Sequence, residues 1–212
     1  MRPSFPVSWF DLVITPFHDN AKKSSNLVCT YGALNRVRNS GTQNENAGLI
    51  LIGGHSSHYQ WNDGQLVQQI KHIVNSSGSV QWVLTTSRRT PGSFIQALHE
   101  QVVSDRLTVT PYEETGDGWM ESEMARASQM WVTPDSVSML YESLTSGACV
   151  SVLELEGGSG CIAKGVHILI AEGHATSYQQ WLESGALNKA AFSGFNEAER
   201  VATLIEERWF GS

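Results

Sequence analysis

The sequence predicts an α/β fold, a Rossmann-like parallel sheet with helices on both faces. Short apolar runs alternate with longer amphipathic stretches from about residue 48 onward. The run GLILIGG (48–54) is apolar throughout and ends in two glycines, the pattern of a strand buried on both faces. Leu66, Val67, Ile70, Ile73 and Val74 then recur at helical spacing. Such alternation feeds strand–helix–strand units into one parallel sheet.

Taken in chain order, FDLVITP (10–16) and NLVCTYGAL (26–34) read as strands with no helix between them. Residues 1–40 therefore stand apart, as a different sheet or an edge extension. GTQNENAG (41–48) is polar and turn-rich, a linker or a hairpin loop. The helix within 61–78 has Asn62 or Asp63 as its cap and Gly78 as its stop. VQWVLTTS (80–87) is a strand. TPGSFIQALHEQVV (90–103) is a helix with Thr90 as N-cap and Pro91 at its first position. Residues 106–112 form a strand, 119–128 a helix and 129–134 a strand. DSVSMLYESLTSGA (135–148) is a helix capped by Asp135 or Ser136, with Gly147 near its end. CVSVLELE (149–156) is a strand, and 160–173 and 196–210 are helices. The expected organisation is a leading piece (1–40), a Rossmann-like domain (48–195) and a C-terminal helix (196–212).

Bulk composition narrows the function classes. The 212 residues are 41% hydrophobic and 17% charged, enough to bury a core. The formal charge of 14 − 21 = −7 argues against non-specific nucleic-acid binding, which needs a basic footprint. Cys29, Cys149 and Cys161 are odd in number and lack CxxC spacing, which speaks against zinc and a disulfide framework and for a reducing compartment. The start MRPSFPVSWF has no h-region, and no apolar run approaches the ~20 residues of a spanning helix. The expected compartment is the cytoplasm, with peripheral attachment to the inner membrane as a variant. The histidines show neither HxxxH nor HExxH spacing, so no metal site is expected, and no cofactor is implied.

In an open parallel sheet, ligands bind beyond the carboxyl ends of the strands. Gly53 and Gly54, with Ser56, follow the first of these strands. They suit either a close backbone approach to an anion or a tight turn. Ser87, Arg88 and Arg89 follow the next, just before a helix start that favours negative charge. Two arginine forks there match phosphate oxygens, unless they are a solvated surface pair. PYEETGDG (111–118) is an acidic loop: either it lines a base pocket, with Tyr112 stacking, or it is a rim without a role. Ser136 and Ser138 lie at a helix N-terminus, and Glu142 lies one to two turns further in. That carboxylate is placed to accept both hydroxyls of a ribose, or else simply faces solvent. ELEGGSG (154–160) adds glycines beside the same crevice. The collection suits a nucleotide diphosphate better than an apolar ligand.

FDLVITPFHD, NLVCTYGALNRV, LILIGGHSSHYQW, LTTSRRTP, VTPDSVSMLYESLTSG and LELEGGSGCIAKGVHILIAEG together resemble the ELM family. That family contains the plant mitochondrial-fission adaptor and many bacterial proteins, some labelled nucleoside-diphosphate-sugar epimerases. It is similar to GT-B glycosyltransferases, whose C-terminal Rossmann-like domain holds the nucleotide-sugar. The resemblance implies that Gly53, Gly54 and Ser56 face the cleft and that Arg88 and Arg89 bind the diphosphate. Ser136 and Ser138 would lie at the phosphate-facing helix start, and Glu142 at the ribose-binding position. A full member carries an acceptor-side domain before FDLVITP, so the expectation is a donor-binding domain without turnover, lacking its N-terminal partner domain. The alternative is a non-catalytic protein-interaction module on the same fold, since the plant relative recruits a fission GTPase. GxGxxG and YxxxK are absent, which argues against a short-chain-dehydrogenase-type epimerase. Aromatic residues in RPSFPVSWF and EERWF are placed to dock on the missing domain, on a second copy or on this core.

Overall fold

A computed structural model describes residues 4–17, 22, 24–187 and 194–211. Parts of the leading piece, residues 188–193 and the final serine lie outside the described residues, including His18 and Asp19 of the FDLVITPFHD segment.

The chain forms eight strands and seven α-helices among these residues. They are β1 (Val13–Pro16), β2 (Leu27–Thr30), β3 (Asn44–Leu51), α1 (Asp63–Ser76), β4 (Gln81–Thr85), α2 (Gly92–Gln101), β5 (Leu107–Thr110), α3 (Trp119–Arg126), β6 (Ala127–Val132), α4 (Val137–Thr145), β7 (Cys149–Val152), α5 (Gly160–Ala171), β8 (Thr176–Ser177), α6 (Tyr178–Ser184) and α7 (Glu197–Trp209).

The main sheet is six-stranded and parallel throughout, in the order β5-β4-β3-β6-β7-β8. The chain winds outward from β3 to β5, then returns to the other side of β3. This is the doubly wound Rossmann order, and its switch point lies between β3 and β6. β1 and β2 pair in parallel as a separate two-stranded sheet, the first of the two expected arrangements.

Burial on both sides explains the apolar strands. Leu49 and Leu51 of β3 face one cluster with Met130, Val132, Leu140, Leu144, Val166 and Leu169, so α4 and α5 cover that face. Ile50 and Ile52 face the other with Leu66, Ile70, Leu84, Phe94 and Leu98, so α1 and α2 cover it. Trp82, fully buried on β4, lies against the backbone of Gly48, where any side chain would strike its ring. Glycine at 48 is therefore a packing requirement between neighbouring strands.

Local signals set the helix ends. Asn62 caps α1, its Oδ1 accepting the Gln65 N–H at 3.0 Å. Every apolar residue of the expected α1 face is buried. Four elements, β3, β8, α6 and α2, differ from the sequence reading. Asn44–Ala47, expected as loop, extend β3, because β6 pairs with this polar end through a register shift between Asn44 and Gly48. β8 and α6 are additional elements; a two-residue strand is too short to show a period. Thr90 is not the cap of α2: Pro91 precedes Gly92, and the Thr90 hydroxyl binds elsewhere.

Candidate functional site

Four loops converge where the sheet reverses its winding. β4, β3 and β6 are neighbours, so the residues after each meet at the carboxyl end of the sheet. The β3 loop carries Gly53, Gly54 and Ser56, the β4 loop Ser87, Arg88 and Arg89, and the β6 loop Thr133 and Asp135 before α4. The loop after β7 reaches the same region: Gln60 bridges Glu156, and the Ser159 N–H donates to the His58 carbonyl at 3.1 Å.

Hydrogen bonds lock the first three loops together. The Gly53 N–H donates to Thr133 Oγ1 at 2.8 Å. The Gly54 N–H donates to Asp135 Oδ2 at 2.9 Å. Arg89 Nη2 donates to the same oxygen at 3.0 Å, and its Nη1 donates to the His55 carbonyl at 2.8 Å. Ser87 Oγ donates to the Gly53 carbonyl at 2.9 Å, and the Thr90 hydroxyl donates to that carbonyl too. A Cβ on Gly53 would collide with the Asp135 carboxylate, and one on Gly54 with the Arg89 backbone. Both glycines are thus needed for close approach between loops. Their N–H groups are already taken by this chain.

Asp135 organises the centre, and sequence reasoning cast it only as a possible helix cap. Its side chain has 0% exposure and holds both a backbone N–H and a guanidinium. Its Oδ1 has no hydrogen-bond partner among the described residues. The contacts reach residues 46 and 81 positions away, so no local pattern announces them. Burial, with the nearby Asp135 charge second, pushes the Tyr59 hydroxyl up to about 12, so it stays protonated.

The remaining sequence candidates divide by what they hold. Arg89 is committed to the clasp, although its side chain keeps 45% exposure. Arg88 is exposed and makes no hydrogen bond or ion pair among the described residues. Ser56 Oγ accepts the N–H groups of His58 and Tyr59, each at 3.3 Å, and so shapes its loop. Ser136 occupies the N-cap of α4 without a side-chain capping bond, and Ser138 is exposed on the first turn. The opening N–H groups of a helix have no intrahelical acceptor, and the macrodipole makes this end attract anions. Glu142 is half-buried, and burial first, then Glu121, raises its carboxyl above the ordinary value.

Tyr112 sits in a short 3₁₀ turn at Tyr112–Glu114, its N–H donating to Thr86 Oγ1 at 3.1 Å. That bond ties the acidic loop after β5 to the end of β4. Cys29, Cys149 and Cys161 form no disulfide among the described residues. Among the described residues no group of three His, Cys, Asp or Glu side chains could hold a metal. No helix among them is long and apolar enough to cross a membrane.

Comparison with known proteins places this architecture. The profile of the family described as Mitochondrial fission ELM1 matches residues 1–209. The chain belongs to this family. No curated protein matches the sequence. Among solved structures, the ELM1-family chain is similar to a putative UDP-N-acetylglucosamine 2-epimerase from Listeria monocytogenes, with a TM-score of 0.53 and 12% identity over 79% of this chain and 46% of that one. It is equally similar to MurG from Acinetobacter baumannii, with a TM-score of 0.53 and 13% identity over 96% of this chain and 64% of that one. The ELM1-family chain therefore has a GT-B-like Rossmann fold and spans about half to two thirds of the length of these two structures. At such identity the likeness concerns the fold alone.

Proposed function

We propose that this ELM1-family chain binds the nucleotide-diphosphate part of a sugar donor at the β3–β6 switch point. The carrying observation is the division of labour between the arginines. Arg89 is spent holding three loops together, whereas Arg88, beside it on the β4 loop, is exposed and unpaired among the described residues. A free guanidinium and free helix N–H groups are the donors a diphosphate needs. Ser136 and Ser138 add hydroxyls at the same helix end. Glu142, half-buried and with no hydrogen-bond partner for its carboxylate among the described residues, is the acceptor assigned to the ribose hydroxyls. The putative epimerase is named for a UDP-sugar, which makes uridine the first base to try.

Inverting glycosyl transfer needs an acceptor hydroxyl and a base to take its proton. The groups assigned here are anion donors and a diol acceptor, and none of them is assigned as that base. The reading is therefore donor binding, with Arg88 and the α4 N-terminus available to stabilise a leaving diphosphate. The lack of GxGxxG and YxxxK argues against epimerisation of the short-chain-dehydrogenase kind only.

Titrating UDP-sugars, ADP-sugars and CMP-sugars by calorimetry and thermal shift tests the proposal. UDP-N-acetylglucosamine is expected to raise the melting temperature of the wild type. Arg88→Gln is expected to cost about tenfold in affinity, the loss of one charge-assisted contact, without changing the melting temperature of the free protein. Absence of a shift with every nucleotide, in a folded sample, rejects donor binding. That outcome leaves the interaction module, which the exposed Phe5, Trp9, Phe10, Trp209 and Phe210 favour. These aromatic residues remain exposed on this core, so of the three docking sites named from the sequence only a partner domain or a second copy would cover them.

A further inference from the structure

A cavity of about 770 Å³ lies between the segment 35–39, the end of α4 and the start of α7. The segment leads into β3, and α4 ends just before β7, so the cavity sits at the amino end of the sheet. The donor loops lie at the opposite end. The volume falls within the range of about 300–1,000 Å³ typical of small-molecule sites.

Both walls are fixed. Asn35 Nδ2 donates to Thr145 Oγ1 at 3.1 Å, and Gln43 Nε2 donates to the Ser146 carbonyl at 2.8 Å. Val37 packs into the core beneath. Across the cavity, Asn196 caps α7 through the Glu199 N–H at 3.0 Å, and Glu197 anchors Arg200 and the Tyr31 N–H.

Charge is distributed unevenly over these walls. Arg36 and Arg38 flank Val37, and all three line the cavity. Neither makes a hydrogen bond or ion pair among the described residues. The one carboxylate in the lining among the described residues, Glu199, already accepts from Asn196 Nδ2 at 3.2 Å. The C-terminal carbonyls of α4 would ordinarily repel an anion. Here those of Tyr141, Glu142, Ser143, Leu144 and Ser146 all accept hydrogen bonds from this chain. Two exposed guanidinium groups, unpaired among the described residues and lining one hollow of an acidic protein, have one complementary ligand chemistry, a compact polyanion.

We propose that this cavity is a second binding site, for a small molecule carrying two or more phosphoryl or carboxylate charges, with Arg36 and Arg38 as its binding residues. The site is independent of the donor reading. Amide NMR titrations of the ¹⁵N-labelled chain with pyrophosphate and with citrate test it and separate the two anion types. At least one of them is expected to shift the amides of 35–39 and 194–199 saturably. Arg36→Gln/Arg38→Gln is expected to weaken that response by about tenfold or more. Arg88→Gln, at the other end of the sheet, is expected to leave it unchanged. The proposal is overturned if neither anion shifts these amides up to about 10 mM, where even a millimolar site would fill. It is also overturned if the double variant binds as the wild type does, or if all shifts fall on 53–56, 87–89 and 136–138.

Discussion

Replacing Asp135 by alanine removes the group that, among the described residues, holds the Gly54 N–H and Arg89 at once. Gly54 is buried, so its N–H would be left without an acceptor, a loss of about 1–3 kcal/mol. Arg89 loses its ion-pair partner but, with 45% side-chain exposure, rehydrates, so this part adds at most about 1 kcal/mol. Together the substitution is expected to cost about 2–3 kcal/mol, near 5–10 °C in melting temperature for a chain of this size. Asp135→Asn keeps an oxygen for Gly54 and loses only the charge, so it should cost about 1 kcal/mol, or 2–4 °C. Thermal melts followed by circular dichroism, with urea titrations at one temperature, would measure both. An alanine variant melting within about 2 °C of the wild type, or alanine and asparagine variants melting together, would refute the role given to this carboxylate.

Gly54→Ala forces the β3 loop away from the Arg89 backbone and should cost at least about 2 kcal/mol by overpacking, visible as a lower urea midpoint with unchanged slope. Asn62→Ala removes the cap of α1 and should cost about 1 kcal/mol in the same assay. Glu142 has its carboxyl raised by burial, so folding disfavours its ionised form, and its contribution is present at acid pH and lost as pH rises through the folded value. Glu142→Gln should therefore be more stable than the wild type at neutral pH, with the difference closing as pH falls toward the ordinary 4.5, while its affinity for UDP-sugars drops. Melting curves across pH 4–8 would show a constant difference if Glu142 were freely solvated.

Much of the architecture could be read before any coordinates. Strands such as GLILIGG are buried on both faces, so their composition alone sets them apart from amphipathic helices. Asn62, followed by an apolar periodicity, marked the start of α1 because capping is a local interaction. Where pairing depends on a distant neighbour, local reading failed: the polar stretch Asn44–Ala47 becomes strand because β6 lies beside it. The α6 start was legible in principle, since Ser177 and Gln180 form a capping box. At the site, residue types after each strand named loops that the sheet order brings side by side. The partition of Arg88 and Arg89 could not be read, because it depends on Asp135, brought near by the sheet order and not by sequence distance.

The interlocked bonds around Gly53 bear on how tightly anything can be held there. Hydroxyls from one turn grip the carbonyl of the next, and a single carboxylate ties down two of them. Little conformational freedom remains to be lost when a molecule arrives, so the entropic penalty of ordering the receptor is small. For the donor binding proposed above, selectivity would then rest on turns arranged in advance, since moving one of them loosens its neighbours.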